Sequence, residues 1–184
     1  VDRGQTEASR SLGLSSGTLY VYFQNKETLF LHLLRREFEQ RMEHLEQEAA
    51  ARDLSDFAGV RDLLLEALSY LLQDQLLYVY LETLRAQMLA CGGDSARWMR
   101  SRLDQMLERL AERSVLSVPQ LQELITAEAA LLTGCFLQRM CTLGHAGTLR
   151  DWQDADFARR VLARACCYLD GYERGLQRAG QEVS

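Results

Sequence analysis

Proline is almost missing from this chain of 184 residues, where Pro119 stands alone. So few breakers leave little room for a turn-rich β-sandwich. Lysine is scarcer than usual too, with Lys26 the single copy. No run of eighteen apolar residues occurs, which excludes a membrane-spanning helix. The five cysteines (Cys91, Cys135, Cys141, Cys166, Cys167) are odd in number and form no CxxC pair, so free thiols in a reducing, cytoplasmic setting are expected. All five fall in or beside apolar helical stretches, which predicts small buried hydrophobes. Cys166 and Cys167 are neighbours, and neighbours on a helix point about 100° apart, a poor metal spacing. The three histidines, His32, His44 and His145, are scattered and are expected to be solvated. No HExxH, no Glu-x-x-His pair and no glycine-rich phosphate loop is found. No enzyme, metal site or cofactor is therefore expected.

Helical periodicity fills the space these absences leave. Phe30, Leu34, Phe38, Met42 and Leu45 form one stripe of a long helix over 26–51. Val60, Leu63, Leu64, Ala67, Leu68, Leu71 and Leu72 form the next stripe, and residues 75–90 another apolar helix. After Gly92-Gly93, Asp94 or Ser95 is placed to cap a helix over 95–114. Pro119 suits the first turn of a helix reaching Leu143. The segment 144–154 reads as a loop, and 156–178 as the last helix, with Phe157, Val161, Leu162, Ala165, Leu169, Tyr172 and Leu176 on its face. The predicted fold is all-α.

Charge is unevenly spread. The chain carries a net −5, yet residues 1–36 hold five basic groups against three acidic ones. The reading is two domains, a small head over 1–36 and a C-terminal domain over 37–184, with different partners. Within the head, residues 6–23 fit two short helices about a turn containing Gly13, the spacing of a helix-turn-helix. An ordinary helical hairpin has the same spacing. On the second helix Leu19 and Phe23 share the core side, while Gly17, Thr18, Val21 and Tyr22 point away, with Ser16 and Tyr20 on a flank. Small residues and hydroxyls on an outer face suit a major groove, where Val21 can meet a thymine methyl. Lys26, in the first turn of the long helix, opposes the helix dipole, whereas a phosphate there would be held by both.

The string Leu12-Gly13-Leu14-Ser15-Ser16-Gly17-Thr18-Leu19-Tyr20-Val21-Tyr22-Phe23-Gln24-Asn25-Lys26-Glu27-Thr28-Leu29 resembles the helix-turn-helix of the TetR family of bacterial transcriptional regulators. The likeness is strong over about 25 residues; beyond them only the layout is similar. It implies a homodimeric repressor on a near-palindromic double-stranded operator. By position it makes Ser16, Gly17 and Tyr20 base-side residues and Thr18, Tyr22 and Lys26 phosphate contacts, with Thr6 and Val21 also on the DNA side. The sequence departs from the family in two respects. The family's first helix would precede Val1, so the head is expected to be incomplete, and the Thr-x-x-x-Ile-Ala pattern near Thr6 is degraded.

The C-terminal domain is expected to hold a small apolar or amphiphilic effector. Tyr78, Tyr80, Met88, Trp98, Met99, Met106, Phe136 and Met140 are the lining candidates, since methionine and aromatics make adaptable cavities. Glu128 interrupts the stripe Leu121, Leu124, Ile125, Leu131, Leu132, Cys135 and so points inward. It needs a partner, an arginine or a ligand. Stretches 130–134 and 168–172 are similar to the family's two dimerisation helices. The expected interface comprises Leu131, Leu132, Gly134, Cys135, Ala165, Leu169, Gly171 and Tyr172. A helical dimerisation module that has lost DNA binding is the alternative function.

Overall fold

A computed structural model describes residues 26–75, 93–143 and 154–182. Among the described residues there are five helices and no strand: α1 (Lys26–Ala50), α2 (Phe57–Leu72), α3 (Asp94–Ala111), α4 (Val118–Leu143) and α5 (Ala155–Glu182). The all-α expectation holds, and the helix limits fall within a few residues of those read from periodicity. The expected head helices at 6–23, all but the first residue of the apolar helix at 75–90 and most of the 144–154 loop lie outside the described residues. The division expected at residue 36 falls inside α1, which runs without a break from Lys26 into the body of the protein.

Local chemistry sets the helix ends. Arg52 donates to the Glu48 carbonyl at 3.0 Å, closing the C-terminus of α1. Asp56 caps α2 by accepting the Gly59 amide at 2.8 Å. Glycine is required at 59, because an added Cβ would lie 1.7 Å from the Asp53 carbonyl oxygen. The cap of α3 is Gly93, at φ 145°, and not Asp94 or Ser95. Glycine reaches that backbone region without strain, and Asp94 then falls in the first turn, where its charge suits the dipole. At α4, Gln120 accepts from the Ser117 amide at 2.9 Å and from its hydroxyl at 2.8 Å, a capping-box arrangement. Pro119 sits in that first turn, as expected.

The main packing contacts close a ring, α1 to α2, α2 to α5, α5 to α4, α4 to α3 and α3 back to α1. Two principal apolar clusters fill it. The larger joins Met42, Leu45, Leu64, Met106, Leu124 and Leu169, among others, and so draws on all five helices. The second joins Leu68, Leu72, Leu132, Phe136, Val161 and Ala165 from α2, α4 and α5. A third, small contact packs Leu34 on Met99, with Phe38 and Trp98 beside them. Burying each such aliphatic side chain contributes about 1.5–3 kcal/mol before chain entropy is subtracted.

Candidate functional site

Of the DNA-side candidates, Thr6, Ser16, Gly17, Thr18, Tyr20, Val21 and Tyr22 lie outside the described residues. Lys26 is the first residue of α1. The helix that Lys26 opens is held firmly. Arg102 of α3 donates to Glu39 at 2.9 Å and to both oxygens of Glu46 at 2.8 and 3.2 Å, so one guanidinium grips two turns of α1. Arg109 joins Glu46 at 2.6 Å. The Arg102 hydrogen bond is the main cause holding the Glu46 carboxyl below its usual range. Nearer the start of α1, the Arg35 guanidinium lies 4.4 Å over the Trp98 ring, and Phe38 meets Trp98 edge-on at 5.9 Å. The helix leaving the motif is thus fastened to α3 by charge and by aromatic contact.

The expected effector lining does not converge among the described residues. Trp98 and Met99 belong to the small α1–α3 contact, and Met106 is fully buried in the larger cluster. Phe136 packs on Phe157 at 4.9 Å in the second cluster, and Met140 is exposed. Tyr78, Tyr80 and Met88 lie outside the described residues. An open cleft of about 520 Å³ lies elsewhere, between α2 and α5, lined in part by Arg52, Asp62, Glu66, Leu162 and Cys166. It includes none of the expected lining residues.

Glu128 does point inward, at 7 % exposure. Within the single chain its Oε1 is buried without a hydrogen-bond partner, which leaves the expected arginine to a second subunit if it exists. Arg139 of α4 and Arg164 of α5 are engaged elsewhere, the first with Asp154 at 3.1 Å and the second with the Cys135 thiol at 3.1 Å. Burial alone pushes the Glu128 carboxyl up to about 8.

The expected dimer residues divide sharply. Leu132, Ala165 and Leu169 are wholly enclosed by the chain's own helices, and Cys135 is buried, so a second copy cannot reach them. Leu131 and Tyr172 are half-buried. Gly134 and Gly171 are exposed, with nothing within 4 Å of an added Cβ. Beside Gly134, Leu137 is 57 % exposed. From 126 to 142 every exposed α4 side chain is uncharged. Two other expectations also change. Cys141 and Cys167 are exposed, while Cys166 is half-buried and accepts from Arg61 at 2.8 Å. His44 is half-buried and stacked on Tyr70 at 4.2 Å, with Glu66 3.9 Å away. Among the described residues no three His, Cys, Asp or Glu side chains gather as a metal site, and no helix is long and apolar enough to cross a membrane. Comparison with protein-family models, curated proteins and solved structures finds no match.

Proposed function

We propose that this chain is a ligand-responsive, DNA-binding transcriptional regulator, a homodimeric repressor of the kind its motif resembles. The observation that carries the reading is continuity. The Gly17–Leu29 string leads directly into α1, and α1 extends unbroken to Ala50 with Arg102 gripping it from α3. A rearrangement of the C-terminal helices that moves α3 therefore has a rigid lever to the DNA-side segment. Lys26, at the root of that lever, is the phosphate contact. Coupling of this kind is reciprocal, so an effector that loosens DNA binding is itself bound less tightly by the DNA-bound protein.

The uncharged outer stripe of α4 supports a two-fold dimer, which sets two recognition helices at a fixed distance. The same stripe would serve the alternative, a dimerisation module without DNA binding. Salt-dependent binding of the full-length protein to its own promoter region separates the two. The regulator binds with a steep salt slope, and Lys26→Ala weakens binding to all sequences and flattens the slope by about one unit, the share of a single phosphate. Salt-independent or absent binding by the full-length protein overturns the regulator reading.

A further inference from the structure

Two properties decide whether a thiol reacts, access from solvent and a cation beside the sulfur. The cysteines of the described residues divide on both. Cys141 and Cys167 are exposed, but no guanidinium is bonded to either sulfur among the described residues. Cys135 accepts from Arg164 at 3.1 Å but is buried. Among the described residues only Cys166 combines the two. Its Sγ accepts from Arg61 Nη2 at 2.8 Å, and it lines the open cleft of about 520 Å³ between α2 and α5.

Both helices build this arrangement. Arg61 comes from α2, and its Nη2 also meets Asp170 Oδ1 of α5 at 3.0 Å, one helical turn beyond Cys166. The carboxylate thus holds the guanidinium against the sulfur. Arg61 Nε is buried without a partner, so part of the cation is withdrawn from water, where its attraction for an anion is screened less. The thiolate is the form that attacks a disulfide, and a fixed cation beside a sulfur favours it. The cleft gives a reagent room, since small-molecule sites run to about 300–1,000 Å³. Its lining includes the apolar Leu65 and Leu162, the carboxylates of Asp62 and Glu66 one turn apart on α2, and Arg52. Arg52 is already engaged by Glu48. The approach to the sulfur is therefore acidic on balance. It repels a reagent of net negative charge and attracts an ammonium group.

We propose that Cys166 is a site of reversible covalent modification by thiol–disulfide exchange, and that the α2–α5 cleft admits a small amino-acid disulfide, uncharged overall, with its ammonium groups toward Asp62 and Glu66. The Cys166 thiolate attacks one sulfur of the disulfide. A new bond to Sγ forms as the old sulfur–sulfur bond breaks, and the departing thiolate takes up from solvent the proton that Cys166 gave to it. One disulfide replaces another, so no further oxidant or reductant is needed, and the free small thiol reverses the step. Arg61 is a positioning residue that holds the attacking sulfur. The reaction stops at the mixed disulfide, because Cys167 points about 100° away on the same helix and cannot bond to Cys166. The proposal goes beyond the regulator reading and does not depend on it.

The test follows the reaction of the reduced full chain with cystine at neutral pH, quenched with N-ethylmaleimide and read cysteine by cysteine in a mass-spectrometric peptide map, Cys91 included. Fragment ions separate Cys166 from Cys167. Cys166 is expected to react about tenfold faster than Cys141 or Cys167, and the difference is expected to vanish in urea. Arg61→Gln is expected to slow Cys166 about tenfold and leave Cys141 unchanged, while Arg61→Lys, which keeps a cation, retains most of the rate. The dianionic disulfide dithiodiglycolate is expected to react more slowly than cystine at Cys166, measured against Cys141 as reference. Asp62→Asn with Glu66→Gln is expected to remove that preference. A Cys166 that reacts no faster than Cys167, or as fast in Arg61→Gln as in wild type, overturns the proposal. Equal treatment of the two disulfides overturns the amino-acid class. The ratio of rates in the native protein decides the matter even where Arg61→Gln fails to fold. Promoter binding takes no part in the assay, so its failure would overturn the regulator reading alone.

Discussion

Removing the buried carboxyl should alter how stability depends on pH, and the size of the effect follows from its burial. The Glu128 carboxyl lies at about 8 in the folded chain against an ordinary 4.5. Between those values the native state keeps a proton that the unfolded state has lost. The stability that this proton confers is complete below pH 4.5 and is lost as pH rises through about 8. Each pH unit in the window corresponds to about 1.4 kcal/mol, and the whole shift to roughly 5 kcal/mol. Urea unfolding of wild type and Glu128→Gln, at half-unit steps from pH 5 to 9, isolates this contribution, since all other groups titrate in both proteins. The Gln variant carries a constant penalty or gain from its amide, which does not affect the slope. Wild type should lose stability relative to the variant by about 1.4 kcal/mol per unit from pH 5.5 to 7.5, flattening above pH 8. Parallel curves would refute the reasoning, because they would mean that Glu128 is ionised in the folded chain and has found a partner or water.

Three further outcomes rest on other parts of the structure. Arg102→Ala should destabilise the fold by about 2 kcal/mol in urea titration, because it strands Glu39 and Glu46 on α1; Glu46 is partly exposed, which keeps the cost below that of a fully buried pair. A loss under about 0.5 kcal/mol, the scale of a surface pair, would show that the network does not fasten α1. Gly59→Ala should cost about 1–3 kcal/mol and lower Tm, since the new methyl group collides with the Asp53 carbonyl and the 51–56 turn must shift. An unchanged Tm would mean that the turn is free to move. Leu137→Glu should leave the circular dichroism spectrum and Tm nearly as in wild type but give monomers in sedimentation, whereas Leu132→Glu should unfold the chain, because Leu132 is wholly buried and Leu137 is largely exposed. A Leu137→Glu protein that still sediments as a dimer places the interface elsewhere.

The divergence between those two leucines shows where the sequence could be read and where it could not. Helix positions follow from a period of 3.6, and α1, α2, α4 and α5 lie where their stripes put them. Glu128 was legible for the same reason, as a single carboxyl set into an apolar stripe. Periodicity reports only that a face is apolar, however, and says nothing about what covers it. Leu131, Leu132, Cys135 and Phe136 extend beyond one stripe, which suggested a surplus for a partner, but α2 and α5 pack with α4 in one cluster and take up most of it. The face left outward is marked by the absence of charge and by Gly134, a weaker signal than leucine. Ion pairing was illegible for a related reason. Arg102 and Glu46 are 56 positions apart, and nothing in either neighbourhood singles them out from the other arginines and glutamates of the chain. An arginine partner for Glu128 proved equally unreadable, because Arg139 and Arg164 are drawn to Asp154 and Cys135 instead. Which acid an arginine chooses is decided by helix packing angles that no single stripe encodes. The carboxyl left without a partner by those choices is therefore a property of the tertiary structure, and the pH dependence it imposes tests that structure.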